Sequence, residues 1–216
     1  MSPPIDLPGR FRAAVFDMDG LLLDSESGWE RAETELFARR GLVYTDAERR
    51  ATLGSSMDKV VPLFTRRFGL APSDEAAIGR ELMELVREEY AAGQPPRPGA
   101  IELVERLRGR LPMAVASNTG RELVEGALES AGIADAFDVV VTVDDVAHPK
   151  PAPDLYELAC ERLGVAPRDA IAFEDSEAGV RSARAAGLTV VAVPQVAGLS
   201  LDGAHHVLES LAQLVD

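Results

Sequence analysis

Cysteine is nearly absent from this chain: Cys160 is the only one in 216 residues, so no internal disulfide can form. Cys160 sits in the helix-like stretch DLYELACERLG, where a packed, inert thiol is the expectation. Basic residues are in deficit, 22 against 36 acidic, and the net charge of −14 argues against a broad nucleic-acid-binding surface. A small anionic substrate is still admissible, because a metal and one placed cation reverse the potential locally. No two glycines are separated by a single residue and no GxxxxGK[ST] occurs, so a glycine-rich nucleotide loop is not the chemistry. The N-terminal MSPPIDLPGRFR lacks an apolar leader-like run, and no run approaches the length of a membrane span. The expectation is a soluble, cytoplasmic monomer with neither nucleic acid nor membrane as partner.

Lysine is the other scarcity. Only Lys59 and Lys150 interrupt an otherwise all-arginine basic set. Such a chain is expected to keep Lys where a compact point charge is needed and a planar fork will not fit. Lys150 lies in HPKPAPD between two prolines that stiffen its loop.

Apolar runs suited to buried parallel strands occur at Ala13–Phe16, Met113–Ala116, Val139–Val141, Ala170–Phe173 and Val190–Val193, with a weak sixth at His206–Leu208. Between them lie helical rows: Ile101, Val104, Leu107, Leu111; Leu123, Val124, Ala127, Leu128; Leu155, Leu158, Ala159, Leu163; and Val180, Ala183, Ala186. Strand alternating with helix predicts an α/β fold, a doubly wound, Rossmann-like parallel sheet. Residues 24–94 break the rhythm with three helical rows, built on Trp29, Ala32, Leu36 and Phe37, on Met57, Val60, Val61, Phe64 and Phe68, and on Ile78, Leu82, Leu85 and Val86. They end in the proline-rich QPPRPG, which forbids a continuous helix. The organisation expected is therefore core over 1–23, a small helical cap over 24–94 inserted after the first strand, and core again over 95–216.

The first strand runs into FDMDG, where two acids, Asp17 and Asp19, follow a buried apolar run. Unpaired charges there cost several kcal/mol, so a compensating cation is expected. An EF-hand loop starting at Asp17 fails, since Leu21, Leu22 and Gly28 fall at its fifth, sixth and twelfth positions. Ligands of open α/β sheets bind beyond the carboxyl ends of the strands. Ser117, Asn118 and Thr119 follow the second strand there, and Glu174, Asp175 and Ser176 the fourth. Each cluster alone has a structural explanation: Thr119 with Glu122 reads as a capping box, and Ser176 as a helix cap. Together they have the complement for phosphoryl transfer to a carboxylate. Asp17 is the nucleophile and Asp19 the acid and base; a cation is held by Asp17, Asp175 and the Asp19 carbonyl. Lys150, Ser117 and Asn118 meet the phosphate oxygens, and Glu174 stands in the outer shell of the metal or steadies Lys150.

These motifs resemble the haloacid dehalogenase superfamily, in its branch with a helical cap after the first motif. FDMDGLLLDSE is similar to the first motif, the SNT of 117–119 to the second, KPAP of 150–153 to the third and EDSEAG of 174–179 to the fourth, in family order across nearly the whole chain. The resemblance implies a Mg2+-dependent enzyme working through a phospho-aspartate on Asp17, with a small phosphate ester as substrate. It covers the β-phosphoglucomutase and phosphoglycolate phosphatase relatives. The retained Asp19 disfavours dehalogenation. Ser25–Arg31 has no His and LGSSMDK no Arg, unlike the mutases, so a sugar-phosphate phosphatase of the 2-deoxyglucose-6-phosphate kind is preferred. A phosphomutase and a phospho-accepting module without turnover are the alternatives. Lys59, just after LGSS and off its helix's apolar row, is expected to touch the substrate's hydroxylated part or to gate the site. Trp29, His148, His205, His206 and the paired arginines are expected to be structural or solvated.

Overall fold

The computed structural model describes residues 5, 7, 9–52, 57–195 and 201–215. Residues 53–56, LGSS, lie outside the described residues. The chain divides into two compact units, Met1–Asp24 with Gln94–Asp216, and Ser25–Gly93.

The first unit is a parallel sheet of six strands in the order β3-β2-β1-β4-β5-β6. These are β1 (Ala13–Phe16), β2 (Met113–Ser117), β3 (Val139–Thr142), β4 (Ala170–Glu174), β5 (Thr189–Ala192) and the two-residue β6 (His206–Val207). Every residue of β1, β2 and β4 is buried. Sheets covered on both faces need such unbroken apolar runs, because neither side meets water. Phe16 pairs in register with Phe173 of β4, and their rings stack at 4.8 Å. The register carries β2 to Ser117 opposite Thr142, and β4 to Glu174 opposite Ala192. Both strands thus run one residue past their last apolar side chain, and their final residues are polar groups of the site.

The helices of this unit are α5 (Ala100–Leu107), α6 (Arg121–Ser130), α7 (Asp154–Leu163) and α8 (Glu177–Ala186), numbered after the four of the other unit. α7 and α8 share one core with alternate residues of β1, β2 and β4, through Leu155, Tyr156, Ala159, Val180 and Ala183. Ser176 caps α8 by accepting from the Gly179 N–H at 3.1 Å. A Cβ on Gly179 would stand 1.9 Å from the Glu174 carboxyl carbon, so only glycine lets the first turn of α8 press on that side chain.

The second unit is helical: α1 (Glu26–Ala38), α2 (Asp46–Thr52), α3 (Met57–Arg67) and α4 (Glu75–Ala91). α1, α3 and α4 follow the apolar rows of the sequence, burying Ala32, Leu36 and Phe37, then Val60, Val61 and Phe64, then Ile78, Leu82, Leu85, Val86 and Tyr90. Phe37 is the hub, with edge-on rings of Tyr44, Phe64 and Phe68 at 5.2, 5.0 and 4.8 Å. α2 had no signal in the sequence, because DAERRAT buries only its last residue, Thr52. Arg40 departs from the expected solvated face: half-buried, it lies over the Phe68 ring at 4.6 Å, donates to the Leu36 carbonyl at 2.8 Å and pairs with Glu81. Trp29 is only half-buried, at the edge of its helix's apolar row. Among the described residues, no helix is long and apolar enough to cross a membrane.

Among the described residues of this unit, one acid is buried. Glu33 accepts hydrogen bonds from the Tyr44 hydroxyl and, at 3.5 Å, from Thr52, whose hydroxyl is 2.8 Å from that of Tyr44. Burial pushes its carboxyl up to about 7; the Tyr44 and Thr52 hydroxyls oppose the shift, and Glu26 and Glu30 add to it. The folded state then holds this proton more tightly than the unfolded chain, whose value is 4.5. Its stabilisation is complete below that lower value and is lost as pH rises to about 7, a loss of at most about 3 kcal/mol. Glu33→Gln keeps the shape and an acceptor but cannot ionise. Its melting temperature should match wild type near pH 4 and exceed it at pH 8 by roughly 2–4 °C for each kcal/mol recovered. A gap that stays constant across that range contradicts the assignment.

Candidate active site

All the polar groups read from the motifs, Lys59 apart, belong to the sheet unit and converge at the carboxyl ends of β1, β2 and β4. Asp17 follows β1 directly, its N–H donating to the Phe173 carbonyl at 3.0 Å. Gly20 then turns the chain with φ +82°, and the Met18 carbonyl accepts from the N–H groups of Leu22 and Leu23, both at 3.0 Å. That turn aims Asp19 back at the end of β2. Ser117 Oγ and Thr119 Oγ1 both donate to Asp19 Oδ2, at 2.9 and 2.8 Å, while Ser117 Oγ accepts from the Thr119 N–H at 2.9 Å. The capping-box alternative for Thr119 is thereby corrected: Gly120 is the N-cap of α6, with no side-chain cap, and the Thr119 hydroxyl serves Asp19 instead.

Asn118 clasps the backbone of Lys150, its Oδ1 accepting from the Lys150 N–H at 2.9 Å and its Nδ2 donating to the Lys150 carbonyl at 3.2 Å. The clasp sends the Lys150 side chain inward. Its Nζ donates to Asp17 Oδ1 at 2.5 Å and to Glu174 Oε1 at 2.6 Å. Glu174 is wholly buried and saturated. Its Oε1 also accepts from the Tyr156 hydroxyl at 2.6 Å; its Oε2 accepts from the Asp175 N–H at 3.2 Å, the Ser176 N–H at 3.4 Å and Ser176 Oγ at 3.1 Å. Asp175 Oδ2 accepts from Gln195 Nε2 at 2.5 Å.

The electrostatics follow from the count of charges. Asp17, Glu174 and Asp175 present oxygens within 4.8 Å of one another, all buried, and one ammonium lies among them. Burial alone would discharge Lys150, but Asp17 and Glu174 outweigh it and raise its pKa, so the ammonium is retained. Burial, Glu174 and Asp19 push Asp175 up to about 7, against the Gln195 hydrogen bond and Lys150. Asp17 is raised too, by burial first, with Lys150 opposing. One positive charge does not balance the cluster.

A second observation marks where the balance is missing. Among the described residues, Asp17 Oδ2 is buried without any hydrogen-bond partner. An orphaned carboxylate oxygen beside a second buried carboxylate, in an all-oxygen donor set, fits a hard divalent cation. Asp17 and Asp175 would hold it. Glu174, with both oxygens engaged, fits a supporting place behind them.

Three features had no place in the motif reading. Tyr156 looks in sequence like one more apolar member of α7. Gln195 lies beyond the last motif, after β5. Gly20 is the third: besides permitting the turn, it leaves room for Gln195 Nε2 and Asp175 Oδ2, which would stand 1.8 and 2.3 Å from a Cβ there. Outside the site, Cys160 is buried and its thiol is pushed up to about 11 by burial, as an inert thiol should be. His148 is exposed beside Asp154, and His205 accepts the Val190 N–H at 2.9 Å.

The sequence pattern of the haloacid dehalogenase-like hydrolases matches residues 11–187. Fructose-1-phosphate phosphatase YqaB of Escherichia coli is 35% identical over 184 residues, covering 85% of this chain and 97% of its own. Hexitol phosphatase B of Escherichia coli is 34% identical over 196 residues, covering 87% and 85%. Among solved structures, CbbY from Rhodobacter sphaeroides in complex with phosphate superposes with a TM-score of 0.81 at 33% identity, covering 94% of this chain and 96% of that one. With its parallel sheet, three motifs at strand ends and a fourth in the loop before α7, the chain belongs to the haloacid dehalogenase-like hydrolases.

Proposed function

We propose that this hydrolase is a phosphatase acting on a small phosphate monoester, a sugar or sugar-alcohol phosphate, through an aspartyl-phosphate on Asp17. The observation that carries the reading is the buried contact of Lys150 with both Asp17 and Glu174, beside an Asp17 oxygen that meets no partner among the described residues. The names of the two phosphatase relatives, one acting on fructose 1-phosphate and one on hexitol phosphates, support the substrate class.

The steps follow from the residues. Lys150 orients Asp17 and offsets part of the repulsion between its carboxylate and a phosphate carrying roughly two negative charges. Asp17 attacks phosphorus, and the bond from phosphorus to the alcohol oxygen breaks. Asp19 gives its proton to that oxygen. Asp19 Oδ2 accepts from the hydroxyls of Ser117 and Thr119, which hold the carboxyl in place for that transfer. Water then attacks phosphorus, returns a proton to Asp19, and Asp17 leaves as a carboxylate with release of inorganic phosphate. In this reading Ser117 and Asn118 meet the phosphate oxygens, while Ser117 also fixes Asp19 and the Asn118 amide also clasps the Lys150 backbone. The cation, Mg2+ in this reading, would be held by Asp17, Asp175 and the Asp19 carbonyl and would supply charge neutralisation to the phosphate.

Asp17→Asn should abolish turnover while leaving the melting temperature near or above that of wild type, since the amide is no nucleophile and relieves a crowded charge. Asp19→Asn should lose roughly 10²–10⁴-fold in kcat. Steady-state assays on a panel of sugar phosphates check both, and near-wild-type activity of Asp17→Asn would end the covalent mechanism.

Chelator should remove activity and Mg2+ restore it, with Ca2+ a poor substitute because it accepts more ligands at longer distances. Asp175→Ala should raise the Mg2+ concentration needed for half-maximal rate about 10–100-fold. A variant with unaltered Mg2+ dependence would remove Asp175 from the coordination.

The reading extends to Lys59 as a specificity residue. It is exposed in the first turn of α3, off the buried row of Val60, Val61 and Phe64, so packing does not require it. Lys59→Ala should reorder kcat/KM among sugar phosphates and leave Mg2+ dependence alone. An unchanged ranking across a broad panel returns Lys59 to the solvated surface.

A further inference from the structure

The geometry points to Tyr156 as a positioning residue that sets how Lys150 divides its charge between Glu174 and Asp17; the inference rests on the phosphatase reading above. Tyr156 stands six residues after Lys150, in the first turn of α7, so the loop that carries the ammonium and the helix that carries the phenol are one continuous segment. The residue is fully buried, a member of the core cluster that includes Val15, Ala114, Ala172 and Val180. Its hydroxyl emerges from that core to donate to Glu174 Oε1 at 2.6 Å. That is the oxygen which also accepts from Lys150 Nζ, likewise at 2.6 Å. The Lys150 Nζ lies 5.2 Å from the centre of the Tyr156 ring.

Two donors therefore share one carboxylate oxygen, and they compete in a buried place where each hydrogen bond counts for more than in water. The hydroxyl takes up part of the electron density on Oε1. With it in place, Lys150 is drawn less strongly towards Glu174 and stays within reach of Asp17 Oδ1. Remove the hydroxyl, and the ammonium is the one donor left to Oε1 among the described residues. Glu174 itself cannot swing away, because Ser176 and the Asp175 N–H hold its other oxygen and Gly179 closes over its carboxyl. Lys150 is the mobile member of the set, and it moves towards Glu174. The phosphate, and the charge that develops on it in transfer, then lose a nearby cation. Tyr156 touches neither, so its effect passes entirely through Glu174 and Lys150.

The test is Tyr156→Phe in the full-length, Mg2+-loaded enzyme, with inorganic phosphate as the binding probe. We expect kcat to fall about 10–100-fold, inorganic phosphate binding by calorimetry to weaken several-fold, and the Mg2+ requirement to stay within twofold of wild type. In a Lys150→Met background, where no ammonium remains to be positioned, adding Tyr156→Phe should not weaken phosphate binding further. Wild-type kcat and phosphate affinity in Tyr156→Phe would overturn the inference, as would a raised Mg2+ requirement or full additivity with Lys150→Met. Asp17→Asn run in parallel separates the two claims: if it is inactive while Tyr156→Phe is unaffected, only the role of Tyr156 fails. Should Tyr156→Phe not fold, fluorine NMR of wild-type protein carrying meta-fluorotyrosine, its signals assigned with Tyr44→Phe and Tyr90→Phe, reports the same contact. A Tyr156 signal that shifts on adding inorganic phosphate supports it, and a stationary one contradicts it.

Discussion

Everything at this site depends on an imbalance of charge: three buried carboxylates share one ammonium. Ion pairs out of water are stable only when geometry and further hydrogen bonds satisfy every oxygen. Glu174 meets that condition, with Lys150, Tyr156, Ser176 and the Asp175 N–H as donors. Asp17 does not, because Lys150 satisfies Oδ1 alone and Oδ2 is left orphaned among the described residues. An unsatisfied, buried, anionic oxygen is costly to the fold and useful to chemistry. It is the group with lone pairs to give, and in this account it is why a cation and a phosphate belong here.

The fold serves that imbalance by bringing distant segments together at no cost in flexibility. β1 is flanked by β2 and β4, so the acids after β1 and β4 and the hydroxyls at the end of β2 come together, although Asp17 and Asp175 lie 158 positions apart in sequence. Small residues make room for them. Gly20 passes under Gln195 and Asp175, and Gly179 admits the Glu174 carboxyl against α8. Loops tie the rest: Asn118 fixes Lys150 by its backbone, and Ser117 with Thr119 fixes Asp19. The site is thus held by strands and short braces rather than by long mobile loops, as a reaction that relies on positioned charge requires.

Much of this was legible in the chain. The five strong strands are continuous apolar runs with turn residues at their ends, and period-2 or unbroken burial leaves little ambiguity at such lengths. Asp17, Asp19, Glu174 and Asp175 stood out because charged residues directly after buried runs need an explanation, and Lys150 because it is one of two lysines and lies between prolines. The unread parts share a physical reason: their side chains give no periodic or compositional signal. α2 buries almost nothing. Glu33 lies on a helix crowded with acids, and only the fold shows that Tyr44 and Thr52 enclose it. Tyr156 looked like a core aromatic because most of it is one; its single polar atom does the distinctive work. Gln195 is an ordinary loop amide until β5 carries it to Asp175. Thr119 read as a local cap with Glu122, and its actual partner Asp19, a hundred residues away, gave no signal in sequence.

The most direct test of the central claim is chemical trapping of the covalent intermediate. The Mg2+-loaded enzyme would be mixed with a turned-over sugar phosphate, quenched in acid during the first turnovers and reduced with borohydride, which converts an acyl-phosphate but not a free carboxylate. Peptide mass spectrometry would then locate the reduced side chain. The account predicts reduction at Asp17 alone, dependent on substrate. Active turnover with Asp17 unmodified, or with the label on Asp19 or Asp175, would contradict it.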